Sequence, residues 1–271
     1  MLLVVLFTLF LNLSYSSDHV VELNISEIQA KTIVSKRPDF IGMDLCGTII
    51  NSKESDIRAV NKTIKKFLNK NWEWKDIKHL KKPELSMKQN FPIFFGKNYK
   101  RAYRYYLRAM YSEIENVKVF DGVFEFLQFC RANNIKTAIV TNRDVEYVKK
   151  FESNNKLGKK LLSLVDVVVT ADEAKATKPH PEILKYAIQK VGINSDSDQN
   201  LFFIGDALAD SNLVRNDVIN GNFILMAQTT SDIDKDHLSF LSSDSNSYIF
   251  LDYFSLLKSL KNLTTNDTLK H

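Results

Sequence analysis

Asp44, Thr141 and Asp206 each stand at the end of a short apolar run in this 271-residue chain. Phe40-Ile41-Gly42-Met43 leads into Asp44, Ala138-Ile139-Val140 into Thr141, and Leu201–Gly205 into Asp206. In an open parallel sheet, ligands bind beyond the carboxyl ends of the strands. If these runs are parallel strands, two carboxylates and a hydroxyl converge on one edge despite separations of 97 and 65 positions. A single strand-end Asp also serves as a turn or cap residue, so it is the combination that points to a site.

The elements that would position these groups follow from the apolar pattern. Strand candidates are Phe40–Asp44, Thr137–Thr141, Val165–Thr170, Leu201–Gly205, Asn222–Met226 and a run near Tyr248–Leu251. They are short, rich in β-branched or aromatic residues, and bounded by polar residues. Helical periodicity lies between them. Gly122–Ala132 places Val123, Phe126, Leu127 and Cys130 on one face. Pro181–Val191 and Phe254–Leu260 behave alike. Strands alternating with helices predict an α/β fold with a mainly parallel sheet covered on both faces.

Residues 53–118 break the rhythm. They predict helices over Ala59–Lys70 and Lys97–Ile114, interrupted at Pro83 and at Phe91-Pro92, with no strand. The charge breaks at the same place. The chain carries a net +5, yet residues 53–118 hold 17 Lys/Arg against 7 Asp/Glu, a net +10, and the remainder is net −5. The same segment holds 11 of the 30 aromatic residues. The expected organisation is a core of residues 37–52 and 119–260, a helical insertion at 53–118 and a C-terminal tail at 261–271.

With 44% hydrophobic and 25% charged residues, whole-chain disorder is excluded. Two cysteines are too few for a disulfide framework or a four-thiolate zinc site. Residues 2–13, LLVVLFTLFLNL, are too short for a stable membrane helix, which needs about 20 apolar residues. They fit the apolar region of a signal peptide over residues 1–17, with Ser14 and Ser16 spaced for cleavage. This predicts export to the periplasm or beyond. The segment before the run lacks Lys and Arg, which leaves open a cytoplasmic chain with an over-extended start or a docked N-terminal strand.

The motifs resemble those of the haloacid dehalogenase (HAD) superfamily, mostly phosphatases. Asp44-Leu45-Cys46-Gly47-Thr48 resembles its first motif, Asp-x-Asp-Gly-Thr. Ala138-Ile139-Val140-Thr141-Asn142 resembles the second, Lys178-Pro179 the third, and Gly205-Asp206-Ala207-Leu208-Ala209-Asp210 the fourth. The resemblance covers about residues 38 to 260 and is closest to phosphoglycolate-phosphatase-like members, with a helical cap inserted after the first motif. It implies a Rossmann-like doubly wound core. It further implies a Mg²⁺-dependent phosphohydrolase acting on a small phosphorylated metabolite. Asp44 would be the nucleophile and form an aspartyl-phosphate. Mg²⁺ would be held by Asp44, the backbone carbonyl of Cys46 and Asp206, with Asp210 orienting the metal shell. Thr141 and the Asn142 N–H would bind phosphoryl oxygens, and Lys178 would pair with their charge.

One position departs from the pattern. The resemblance places a second Asp, the general acid and base, where this chain has Cys46. A thiol with a reference pKa near 8.5 is a poorer match to that task at neutral pH. Three outcomes follow: a slow phosphatase or one restricted to good leaving groups; other chemistry on the same fold; or a catalytically impaired protein that binds a phosphorylated ligand or partner through its basic cap. Simpler readings also exist for single residues. Lys178 could be a solvated helix-start lysine, Asp210 an N-cap and His180 a loop residue. Basic residues interleaved with aromatics could bind single-stranded nucleic acid, but aromatic helix faces more often pack on one another. Cys46 and Cys130 are expected to stay unpaired, because the helix from Gly122 carries Cys130 to the opposite edge of the sheet.

Overall fold

The structure, a computed structural model, describes residues 31–82, 87–193, 199–216, 219–228, 241 and 246–268. Residues 1–17, the expected export signal, and Pro83 lie outside them. Six parallel strands form the central sheet: β1 (Phe40–Met43), β2 (Lys136–Thr141), β3 (Val167–Thr170), β4 (Leu201–Gly205), β5 (Asn222–Met226) and β6 (Ser247–Phe250). Their order across the sheet is β6-β5-β4-β1-β2-β3. The chain winds outward from β1 on one side, then returns and winds outward on the other. The direction reverses between β1 and β4, and crevices at such a reversal are where doubly wound sheets bind ligands.

Among the described residues, the longer helices are α1 (Lys53–Phe67), α2 (Met87–Phe95), α3 (Tyr99–Tyr111), α4 (Val123–Ala132), α5 (Val145–Asn154), α6 (Glu182–Lys190), α7 (Leu208–Val214) and α8 (Tyr253–Thr268). Alternation along the strands sends side chains to two apolar layers. Ile41, Met43, Ile139 and Ile204 pack with Phe126 and Leu127 of α4 and with Tyr253 and Leu256 of α8. Phe40, Ala138, Val140 and Phe203 face the other side and meet Ile183, Leu184 and Ala187 of α6. Both layers are needed: a sheet buried on both faces has no polar side, as the apolar strands require.

The described residues between 53 and 111 leave the sheet and are mainly helical. Their entry and exit are tied together by a short antiparallel ribbon, in which Ile50 pairs with Val119 and Asn51 with Lys118. The sequence pattern did not predict a strand at Lys118, because two residues carry no periodicity. Asn155 secures the exit, its side-chain amide donating to the carbonyls of Ile114 (2.9 Å) and Val117 (2.7 Å). α1 packs on α3, with Ala59, Val60 and Ile64 against the face of Ala102, Tyr106 and Ala109. Glu113 binds Arg58 (2.9 Å) and Lys62 (2.8 Å) of α1.

Three boundaries differ from the sequence expectation. α1 begins at Lys53 rather than Ala59, since its first turn is polar but carries Glu54 and Asp56, which suit a helix N-terminus. Phe91-Pro92 does not interrupt a helix but lies inside α2. Pro92 and Lys88, whose carbonyl loses its partner, are on the solvent side, while Phe91 stacks on Phe95 and meets Tyr103 edge-on, both at 4.9 Å between ring centroids. α8 continues through most of the expected tail, where Leu263 extends the apolar stripe of Leu256 and Leu260. Cys46 and Cys130 are free, as expected, with Cys130 buried under α4. Among the described residues, no helix is long and apolar enough to cross a membrane.

Candidate active site

The site begins with strand register. Met43 lies level with Ile139 of β2 and Ile204 of β4. One residue further, the Asp44 N–H donates to the Ile204 carbonyl (2.9 Å), which fixes Asp44 between the ends of two neighbouring strands. Thr141 closes β2 and Asp206 follows β4, so the three groups do share one edge. Lys178 arrives from the loop before α6. Its N–H donates to Asn142 Oδ1 (2.7 Å), and Asn142 Nδ2 donates back to the Lys178 carbonyl (3.3 Å). The Asn142 side chain therefore clamps the lysine loop onto the end of β2. Lys178 Nζ forms an ion pair with Asp44 Oδ1 and lies 2.7 Å from Asp210 Oδ1.

Lys178 is 5% exposed and Asp210 1% exposed, so neither is a solvated surface residue. Asp210 sits in the first turn of α7 and accepts the Ala207 N–H (3.2 Å), combining a helix-terminus role with the ion pair. Asp206 accepts the Thr48 hydroxyl (3.2 Å). Two glycines make this crowding possible. A Cβ on Gly47, whose φ is +91°, would lie 2.2 Å from the Asp206 carboxylate. A Cβ on Gly205 would lie 2.3 Å from the Asp210 side chain. His180 is an exposed loop residue whose ring accepts the Glu182 N–H (3.3 Å).

Asp44, Asp206 and Asp210 present carboxylate oxygens within 4.8 Å of one another. Burial, then the charges of Asp44 and Asp210, push the Asp206 carboxyl well above the usual range. Burial also pushes Asp210 up, against the pull of Lys178. Lys178 moves up too: burial opposes its charge, but Asp210 and Asp44 outweigh it. Three carboxyl groups around one ammonium are therefore short of positive charge when ionised, and an all-oxygen donor set of this size suits Mg²⁺. The Cys46 thiol is not part of that group. The carboxylates open onto a cavity of about 1050 Å³, roofed by Tyr103, Tyr106 and Met110 of α3.

The sequence model of the haloacid dehalogenase-like hydrolase family matches residues 41–220, most of the chain. The chain belongs to this family. It is 30% identical over 152 residues to the pyrophosphatase PpaX of Bacillus cereus, a match covering 55% of this chain and 67% of that protein. The chain thus spans about two thirds of the length of the curated relatives it matches. Its fold is similar to that of CbbY from Rhodobacter sphaeroides in complex with phosphate, with a TM-score of 0.64 at 15% identity over 83% of this chain and 99% of that one. A haloacid dehalogenase-like family hydrolase from Streptococcus pneumoniae gives 0.63 at 16% identity over 82% and 97%.

Against that family pattern, the surroundings of Cys46 are informative. Arg143, two residues past Thr141, donates from Nε to Cys46 Sγ (3.1 Å). Its Nη2 lies 2.5 Å from Asp56 Oδ2 at the start of α1. Its Nη1 reaches Met110 Sδ (2.7 Å) and the Tyr106 hydroxyl (3.4 Å) of α3. The guanidinium also lies 4.9 Å from the centre of the Tyr147 ring. Burial pushes the Cys46 thiol up, with Arg143 pulling partly back. Sequence reasoning missed Arg143 and Asp56. The one available signal was the position of Arg143 directly after Thr141-Asn142 at a strand end.

Proposed function

We propose that this hydrolase is a Mg²⁺-dependent phosphatase that moves the phosphoryl group of a small phosphorylated metabolite to Asp44 and then to water. The observation that carries the reading is the largely buried constellation at one sheet edge: Asp44 paired with Lys178, and Asp210 and the half-buried Asp206 beside them, opening on a ligand-sized cavity. The pyrophosphatase relative and the phosphate complex of CbbY are in keeping with it. Asp44, Asp206 and Asp210, with the carbonyl of Cys46, would hold Mg²⁺, which supplies neutralising charge between the carboxylates and the phosphoryl oxygens.

A carboxylate is ionised at neutral pH and needs no activating base. An Asp44 oxygen forms a bond to phosphorus, the bond to the leaving oxygen breaks, and that oxygen keeps the electron pair and takes up a proton. Water then attacks the aspartyl-phosphate and loses a proton, which frees inorganic phosphate and restores the Asp44 carboxylate. Lys178, the Thr141 hydroxyl and the Asn142 N–H stabilise the phosphoryl oxygens throughout, since phosphoryl transfer needs mainly positioning and charge. Cys46 is a weak proton donor and makes turnover slow for poor leaving groups. Residues 53–118 act as a cap whose net +10 raises the local concentration of an anionic substrate. Residues 1–17 direct export, which N-terminal sequencing of the mature protein checks.

The test is phosphate release with Mg²⁺ from a panel of phosphorylated metabolites, using wild type, Asp44→Asn and Cys46→Asp. Release by wild type that Asp44→Asn abolishes is expected. Activity surviving Asp44→Asn overturns the mechanism. The thiol at position 46 favours one other reading, a binding protein with impaired catalysis. Silence of wild type across the panel together with activity in Cys46→Asp would establish that reading instead.

A further inference from the structure

We infer that Arg143 is the specificity-determining residue: its guanidinium receives a second anionic group on the leaving side of the substrate, and Cys46 keeps it free of a competing carboxylate. The inference rests on the phosphatase reading of the same cavity. In-line attack by Asp44 drives the leaving group away from Asp44. The space open to it is the cavity between the sheet edge and α3, and Arg143 lines that cavity along with Asp44.

The partners of Arg143 are unusual for a buried cation. The side chain is 15% exposed, so most of its hydration is lost. Five N–H donors need strong acceptors to offset that loss. Among the described residues, Asp56 alone provides one, at 2.5 Å. Nε points at the Cys46 sulfur, and Nη1 at the Met110 sulfur and a Tyr106 hydroxyl 3.4 Å away. Thiol and thioether sulfurs are weak acceptors. Asp56 therefore orients one edge of the fork, held in turn by the Ser52 hydroxyl at 2.8 Å, while Nε and Nη1 reach only sulfurs and a hydroxyl at 3.4 Å among the described residues. A phosphate or carboxylate oxygen would be a better partner than either sulfur.

The identity of residue 46 then has a second consequence. A carboxylate there would lie within bonding distance of Nε, where Cys46 Sγ now sits at 3.1 Å. Together with Asp56 it would place two negative charges on one guanidinium and repel a substrate anion. The replacement that weakens proton transfer thus leaves a cation open for substrate recognition.

Three non-hydrolysable probes test this by calorimetry with Mg²⁺: methylphosphonate, with one anionic group; methylenediphosphonate, with a second phosphonate; and phosphonoacetate, with a carboxylate. Wild type is expected to bind at least one two-anion probe tenfold or more tightly than methylphosphonate, and the better of the two identifies the chemistry of the second group. In Arg143→Met and in Cys46→Asp that ratio should fall below twofold. Should Arg143→Met fail to fold, judged by its thermal transition, Arg143→Lys takes its place. Keeping the charge but losing the fork, it should lose most of the ratio. A wild-type protein that binds all three probes equally overturns the inference and leaves the phosphatase reading intact, as does a ratio that survives the Arg143 variant. Binding of none of the probes overturns both.

Discussion

The two walls of the cavity are built by opposite means. On the sheet side, Asp44 and Asp206 stand at strand ends, Lys178 and Asp210 reach them from the loop before α6 and the first turn of α7, and charges offset charges at close range. On the helical side, Tyr103, Tyr106 and Met110 present rings and sulfur, and the cation between the walls, Arg143, has one strong partner. The difference teaches a division of labour. A parallel sheet fixes backbone positions through its ladder, so it can hold like charges together. A helical segment held by aromatic packing can vary its contacts without disturbing that arrangement. Under the proposed function, the sheet side performs phosphoryl transfer and the helical side selects the substrate.

Cys46 stands where the walls meet, so its replacement is the largest test. Cys46→Asp should raise turnover of alkyl phosphates by about 10²–10⁴-fold, the usual contribution of a general acid. Aryl phosphates with good leaving groups need no proton and should gain far less. Steady-state rates on glycerol phosphate and p-nitrophenyl phosphate measure both. An equal gain on the two substrates would show that proton transfer is not what the thiol limits.

The next largest effect concerns the sheet side alone. Lys178→Met removes the buried ammonium that pairs with Asp44 and Asp210, both buried, beside the half-buried Asp206. Breaking a buried ion pair on one side costs about 3–5 kcal/mol. Urea unfolding without Mg²⁺ should show a loss of that order, and added Mg²⁺ should recover part of it. A change under about 1 kcal/mol would mean that the carboxylates shed their charge by taking up protons, and the contrast between the walls would weaken.

These two walls were not equally legible in the sequence. All six sheet strands are short apolar runs, and three of them end in the residues that meet at the site. A strand end is a local signal, and a parallel sheet converts it into a shared edge. Arg143 has no such signal. Its partners Cys46, Asp56, Tyr106 and Met110 are 97, 87, 37 and 33 positions away, and nothing in their spacing announces the meeting. The α2 helix was hidden for a different reason. Pro92 argues locally against a helix, and the burial of Phe91, Phe94 and Phe95, with Phe91 against Tyr103 and Tyr106 of α3, overrides it.

That packing defines the third test. Phe91 is fully buried and touches Phe94, Phe95, Tyr103 and Tyr106. Phe91→Leu keeps the apolar contact but loses all four ring pairs, worth about 2 kcal/mol even at the low end of about 0.5 kcal/mol each. Hydrogen exchange should speed up in α2 and α3 and not in β1, β2 or β4. Acceleration in the strands as well would show that the two walls unfold together and that their separation is only architectural.

The smallest effect probes how the helical side is tied to itself. Glu113 is 11% exposed on its side chain and binds Lys62 and Arg58. The Lys62 hydrogen bond, against an opposing effect of burial and with help from Arg58, holds its carboxyl below the usual range. Glu113→Gln should cost about 1 kcal/mol, since both cationic partners are half-exposed and screened. A carboxylate depressed in the folded state stabilises fully above its unfolded pKa, near 4.3. That contribution disappears as pH falls through the lower folded value. The melting temperatures of wild type and Glu113→Gln should therefore differ by a constant amount from pH 8 to about 5, then converge below about 4. A gap that persists in acid would mean that Glu113 acts through packing rather than charge, and would place the helical side's cohesion entirely in its aromatic cluster.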